Sequence, residues 1–535
     1  MASGAHTFVL SDAAGAGSDV LRTLTPAGSD GLGWANGGPV RTRRRTWLDT
    51  FDWRLYRAGL TLEQLTGGGQ TQLVLAGQDG GVVAAEQLDG RARPGWPLLA
   101  AELPAGPLQT ALEPVTGIRA LSPVARAVSR VSELTALNND AKTIARLAVD
   151  RMAVTFPSRA ALPARLTLTP VRGYQPQADR LGQVVAGLPG VTATDRSALE
   201  AALAAAGGRA GQVPGKASAV QLTAEMPAGR AMAVMLTTLL DSIETNLSGT
   251  IRDIDTEFLH DLRVAVRWTR SALKLCGDAL PGGLAAQYAP EFRWLGDLTT
   301  PTRDLDVFLL GYPAMAAGLV AACEDDLIPF RDHLTRSRAV GYRTLVTGLR
   351  SARFARLLTG WRAALSDARP ARRPTVAQLA DAKIAAAHRK ALLVGGRITP
   401  SSPPQSLHDL RKRCKELRYL VEMFGSLHDP AQRVQAVREL KSLQDCLGEF
   451  QDADVQRAEI RAFAVQMMAE RSAPAQTLLA MGEITASLAG RQARARAQFD
   501  GRFADFAGPV SRRRLTRLTQ AASKTKAAPA RTAAP

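Results

Sequence analysis

From Met232 onward, apolar residues return every three or four positions, through Met232–Leu247, Leu262–Leu275, Val307–Leu319, Phe330–Leu358, Val376–Leu393, Leu407–Phe424, Val434–Leu447 and Val455–Leu488. That spacing lays apolar side chains along one face of a helix, and no strand-like alternation interrupts it, so residues 226–507 are predicted to be all-α. Before residue 205 the pattern differs. Short β-prone runs such as Thr71–Leu75 and Leu166–Thr169 lie between the turn formers Gly67–Gly69, Gly80-Gly81 and Pro94-Gly95, which predicts strands joined by turns. Ala141–Met152 and Asp195–Ala206 read as helices within this segment, and residues 1–204 are expected to form an α+β domain. Residues 205–225, broken by Gly207-Gly208 and Pro214-Gly215, read as a linker.

The helical segment contains a repeat. His260-Asp-Leu-Arg263 returns unchanged as His408-Asp-Leu-Arg411, 148 residues later. The same offset pairs Arg267 with Lys415, Arg270 with Arg418, Gly277 with Gly425, Arg293 with Lys441, Asp297 with Asp445, Asp304 with Asp452 and Asp306 with Asp454. The helical part therefore divides into halves at about 226–370 and 371–507, each expected to be a helical bundle, with like surfaces brought face to face.

Composition adds a partner class. The chain has 535 residues and a formal charge of +18, with an apolar fraction of 46% that suffices for a core in each domain. Residues 508–535 hold seven cations and no acid, which leaves +11 on the remainder, so the folded body is itself basic. This tail reads as disordered. Such a charge points to a polyanion: nucleic acid, an anionic surface or a phosphate polymer. Four dispersed cysteines, no signal pattern and no apolar run long enough for a membrane helix predict a cytoplasmic protein without membrane insertion.

On a helix, His260, Arg263, Arg267, Arg270 and Lys274 fall at steps of three and four and form one stripe, with Leu262, Val266 and Leu273 on a neighbouring face. His408, Arg411, Lys415 and Arg418 repeat it. Stacked like charges disfavour an isolated helix, so such a row calls for acids or a bound anion. Arg grips phosphate oxygens in a bidentate fork and Lys supplies a mobile point charge. Two roles fit each histidine: bracing the helix start, or donating to phosphate. For Asp304, Asp306, Asp452 and Asp454, metal ligation lacks supporting His or Cys. Thr300-Pro301 reads as the cap and first turn of a helix bearing Asp304 and Asp306. The acids are read chiefly as partners that hold the basic side chains extended.

These motifs resemble the CHAD domain, a histidine-containing α-helical domain built from two four-helix bundles. The resemblance runs from His260-Asp-Leu-Arg-Val-Ala-Val-Arg-Trp-Thr-Arg-Ser-Ala-Leu273 and Leu295–Val307 into their second-half counterparts, and covers roughly residues 226–507. It implies binding of inorganic polyphosphate on a basic surface between the bundles, without catalysis, cofactor or metal, and a location at polyphosphate granules. Carried over, the binding positions are His260, Arg263, Arg267, Arg270, Lys274, Arg293, His408, Arg411, Lys415, Arg418 and Lys441, with Lys412 beside them.

The N-terminal part is similar to a CYTH domain, an antiparallel-sheet triphosphate tunnel, through Trp47-Leu-Asp-Thr-Phe-Asp-Trp-Arg-Leu-Tyr-Arg-Ala-Gly-Leu-Thr-Leu62. Its departures are larger. The first strand, His6–Leu10, has neither Glu nor Lys, and Leu62–Leu65, Leu73–Leu75 and Leu166–Thr169 lack the expected charged ligands. A tunnel fold that has lost its catalytic set is expected, with Arg41, Arg43, Arg44 and Arg45 on a solvated loop. Two alternatives remain: a metal-dependent triphosphatase using Glu86 or Asp150, and a nucleic-acid-binding or nucleoid-associated protein, against which the stripe shows no interleaved aromatics.

Overall fold

The computed structural model describes residues 5–11, 33–36, 38–88, 95–213, 220–367 and 373–524. The chain divides into two compact units at Val213/Pro214. Arg531 and Lys526 of the basic tail, like the Pro94 turn and Pro214-Gly215, fall outside the described residues.

In the first unit an eleven-stranded antiparallel sheet runs in the order β11–β1–β10–β8–β7–β3–β4–β5–β6. The strands on this path are β1 His6–Leu10, β3 Arg41–Thr50, β4 Leu60–Gly67, β5 Gln70–Gly77, β6 Val82–Leu88, β7 Leu121–Leu137, β8 Thr143–Phe156, β10 Arg165–Pro170 and β11 Val191–Ala193. Off it, β2 (Gly33–Asn36) joins β7 and β9 (Ala160–Ala161) joins β8. Alternation explains the strands: Leu73 and Leu75, Leu147 and Val149, Leu166 and Leu168 are fully buried, with partners between them turned away. Helices α1 (Arg54–Arg57), α2 (Pro107–Thr116), α3 (Gln175–Ala186) and α4 (Ala198–Ala205) complete this unit.

Three expectations are corrected here. The sheet is not a closed tunnel: among the described residues β11 and β6 end the order and do not pair with each other. Ala141–Met152 contributes to strand β8, because Ala145, Leu147 and Val149 alternate with Arg146, Ala148 and Asp150 at a period of two. Arg41, Arg43, Arg44 and Arg45 lie on β3, paired to β7 and β4, rather than on a loop.

The second unit holds helices α5 (Ala228–Ile251), α6 (Thr256–Cys276), α7 (Leu284–Ala317), α8 (Ile328–Leu349), α9 (Ala352–Ser366), α10 (Val376–Gly395), α11 (Pro404–Met423), α12 (Pro430–Ala469), α13 (Ala475–Ala507) and α14 (Pro509–Lys524). Both repeat halves feed one core, in which Leu236, Leu262, Phe292 and Trp361 of the first meet Leu410, Leu417, Phe424 and Leu443 of the second. Full burial of each such side chain contributes about 1.5–3 kcal/mol. A second core joins the far ends of the long helices, from Leu305, Phe308 and Phe330 to Ile460, Met467 and Met481. Gly249 allows α5 and α6 to approach, since a Cβ there would stand 2.2 Å from the Phe258 ring.

Thr300-Pro301 does not begin a helix. Helix α7 is continuous for 34 residues and contains Pro290, Pro301 and Pro313. A mid-helix proline costs about 3 kcal/mol, and packing of Phe292, Leu295, Leu305 and Phe308 on both sides of Pro301 holds the helix together. The tail is likewise ordered further than expected. Pro509–Lys524 forms α14, which seats Leu515 and Leu518 at 2% and 1% exposure in the main core. Near the end of the predicted linker Leu222 is buried, with its backbone N–H donating to Ser426 Oγ at 3.1 Å.

Candidate functional site

The two basic stripes lie on α6 and α11, whose apolar faces are sunk in the shared core: Leu262, Val266 and Leu273 on one, Leu410, Cys414, Leu417 and Val421 on the other. An Asp255 N-cap accepting from the Glu257 and Phe258 backbone N–H groups starts α6 one turn before the stripe. Pro404 in the first turn starts α11.

The helices meet. Lys274 Nζ donates to Glu416 Oε1 at 2.7 Å, and the Trp268 and Tyr419 rings stand 5.1 Å apart. Arg267 lies close enough to Lys415 to disfavour its charge. Lys415 is pushed down to about 8, first by loss of solvation and then by repulsion from Arg411 and Arg267, with Arg418 adding to it. Arg267 and Lys415 are repeat equivalents, so the two stripes approach each other at corresponding positions.

The halves differ in how their cations are held. In the second, Arg411 donates to Asp452 at 2.8 Å and Arg418 to Glu422 at 2.6 Å, while Arg418 also reaches Gln444 at 3.3 Å. In the first, Arg263 donates to Thr299 Oγ1 and Thr300 Oγ1 at 3.1 and 2.8 Å, neutral acceptors that orient the guanidinium without cancelling it. Burial and the neighbouring cations Arg267, Arg303 and Arg270 hold Arg263 below the usual value, opposed by Asp304. Arg270 takes the place where a side chain at position 296 would stand: a Cβ on Gly296 would sit 2.4 Å from its Nη1. Among the described residues no carboxylate lies within 4 Å of Arg267, Arg270, Arg293, Lys415 or Lys441. All five are exposed. Arg267, Arg270, Lys274 and Arg293 line one cleft of about 460 Å³ between α6 and α7. Lys412, exposed, pairs with Asp409 at 3.4 Å.

The leading histidines are half-buried. Burial, then the Arg303 guanidinium, push His260 below its ordinary value, so it is neutral in the free protein at pH 7. His408 Nδ1 meets Gln451 Oε1 at 2.6 Å, and Gln451 is the repeat equivalent of Arg303. The His408–Gln451 contact fits bracing of the helix start. The acidic pairs divide. Asp452 holds Arg411, and Asp304 sits in the field of Arg263 and Arg303, although burial raises its own value. Asp306, 1% exposed, instead pairs with Arg338 of α8, and Asp454 accepts from Gln492 of α13 at 3.1 Å. These two tie helices together and do not hold the stripe.

Several contributors escaped the sequence reading: Trp268 and Tyr419, Glu416, the threonines under Arg263, and Gly296. Only the last left a signal, a Gly at the position where the second half has Gln444.

In the first unit, Arg45 is enclosed by carboxylates. Its Nη1 donates to Asp150 Oδ2 at 2.9 Å and its Nη2 to Glu63 Oε2 at 2.9 Å, with a further bond from Nε to Glu63, and Ser129 Oγ donates to Asp150. Burial alone would lower the Arg45 value; the two carboxylates raise it. Among the described residues no group of three or more His, Cys, Asp or Glu side chains is gathered where a metal ion could be held. No helix among them is long and apolar enough to cross a membrane.

Residues 234–461 match the family model described as the CHAD domain. An uncharacterized protein of Mycobacterium tuberculosis is 28% identical over 211 residues, 38% of this chain and 39% of that protein. The same extent is matched in a second strain. The match thus spans about two fifths of the length of these relatives. Among solved structures, the CHAD domain of the plant Ricinus communis is 25% identical with a TM-score of 0.46, covering 55% of this chain and 96% of that one. PptA from Streptomyces chartreusis is 17% identical with a TM-score of 0.42, covering 52% and 99%.

Proposed function

Because the chain carries a CHAD domain over residues 234–461, we propose that its helical unit binds inorganic polyphosphate without transforming it, and that this binding places the protein at polyphosphate granules in the cytoplasm. The observation that supports this most is the meeting of unpaired cations from both repeat halves, Arg267 beside Lys415, on one exposed surface. Cations about one helical turn apart match the reach of a flexible phosphate chain, and the charge they share is relieved only when an anion settles between them. Asp150, one of the two carboxylates considered for a triphosphatase, is already engaged by Arg45 and Ser129, which favours a binding role over catalysis.

Calorimetric titration with long-chain polyphosphate tests this directly. Tight binding at low salt is expected, with log K falling linearly in log salt as counterions are released. Absence of binding at low salt refutes the proposal, and duplex DNA displacing labelled polyphosphate at equal phosphate concentration would move the assignment to nucleic acid.

A pH dependence follows from Lys415. Its value of about 8 lies below the ordinary lysine value of 10.5, so the free folded protein releases this proton early, and the stability lost to its charge returns as pH rises through about 8. Polyphosphate favours the protonated form. Affinity is therefore expected to fall between pH 7 and 9, with proton uptake on binding at pH 8. Calorimetry in two buffers of different ionisation enthalpy reads that uptake, and Lys415→Arg is expected to remove it; buffer-independent heats at pH 8 contradict the assignment.

A further inference from the structure

The cationic cleft of the first half does not end at Arg293. Through Ala289 and Arg293, which line both, it runs into a second cleft of about 560 Å³ on the same stretch of α7. Here the chemistry changes. The walls are apolar, with Trp294, Leu298 and Pro290, and the charged group facing Arg293 along them is the carboxylate of Asp297. The indole is fixed in place by Arg353, whose guanidinium lies 4.3 Å from the ring centroid and is anchored to Glu291 at 2.8 Å.

A uniform phosphate chain has no use for this second compartment, since Asp297 repels it and the apolar wall gives it no donor. A ligand that is polyanionic at one end and planar and apolar at the other fits both. We propose that the joined clefts form a binding site for a nucleoside polyphosphate: phosphates on Arg267, Arg270 and Arg293, and the base against Trp294 with its N–H edge donating to Asp297. Stacking on an indole accepts any base, and a carboxylate selects an edge that carries N–H donors. The second half of the repeat does not carry the same wall residues. Trp294, Pro290 and Leu298 correspond there to Ser442, Arg438 and Cys446, so the site belongs to one half alone. The site rests on the polyphosphate assignment for its cationic part and adds a different class of ligand to it.

The test compares ATP, GTP and inorganic tripolyphosphate by calorimetry on the full chain at one salt concentration. Either nucleotide is expected to bind about tenfold tighter than tripolyphosphate, the increment of one stacked base. Trp294→Ala is expected to abolish that advantage and leave tripolyphosphate affinity unchanged. Asp297→Asn, at an exposed position that leaves the fold intact, is expected to lower the ratio by tightening tripolyphosphate and loosening the nucleotide that donates to it. Tripolyphosphate binding as well as both nucleotides, or an unchanged ratio in Asp297→Asn, overturns the nucleoside site while leaving polyphosphate binding standing. Failure of long-chain polyphosphate and nucleotide alike refutes the parent assignment instead.

Discussion

Replacing Arg267, Arg270 and Arg293 together by Glu is expected to weaken long-chain polyphosphate binding by about a thousandfold. Each lacks a carboxylate within 4 Å among the described residues, so each is available to a phosphate oxygen. A hydrogen bond to a charged partner contributes about 1.5–3 kcal/mol, and about 1.4 kcal/mol is a factor of ten in affinity. All three are exposed, so circular dichroism and the thermal midpoint are expected to stay near those of the parent. A double change at the acid-paired cations of the second half, Arg411→Glu with Arg418→Glu, is expected to cost only about tenfold, because Asp452 and Glu422 already occupy those guanidinium groups. Titration of both variants at one salt concentration decides the matter, and equal losses from the two variants would contradict the distinction between free and acid-paired cations.

The second large effect belongs to the other unit. Arg45→Ala is expected to destabilise it by about 3–5 kcal/mol, because it strands two acids whose side chains are only 15% and 14% exposed, Glu63 and Asp150, beside one another. Denaturant unfolding of the full chain is expected to show an earlier transition for the sheet unit and an unmoved one for the helical unit. Acid is expected to recover part of the loss, since protonating the stranded carboxylates removes their repulsion and their desolvation cost. Polyphosphate affinity is expected to stay within twofold of the parent. A variant as stable as the parent at pH 7 would mean that Arg45 does not neutralise this cluster.

Not every helix boundary was equally legible in the sequence. Met232–Leu247 and Leu407–Phe424 coincide closely with α5 and α11, since a three-four periodicity is a local property and survives in the fold. The break read at Thr300-Pro301 failed for a matching reason. A proline is a strong local stop signal, but packing on both sides of it outweighs about 3 kcal/mol, and nothing within a few residues of Pro301 reports that packing. Gly508 in the same way suggested the start of a tail, whereas Leu515 and Leu518 find the core through contacts with distant helices.

The candidate site divides along the same line. His260-Asp-Leu-Arg and its copy placed the two basic helices, their apolar faces and their equivalence, because a repeat and a helical stripe depend on spacing alone. Which cations remain free was decided elsewhere. Lys274 is neutralised by Glu416, 142 residues away, Arg411 by Asp452 and Arg45 by Glu63 and Asp150. Ion pairing acts over a few ångströms between elements remote in sequence, so equivalent cations of the two stripes meet different partners. The chain's order of residues thus determined that there are two basic helices with a shared origin; only the tertiary structure, by choosing which acids reach which cations, left Arg267, Arg270 and Arg293 of the first half and Lys415 and Lys441 of the second without an acid among the described residues.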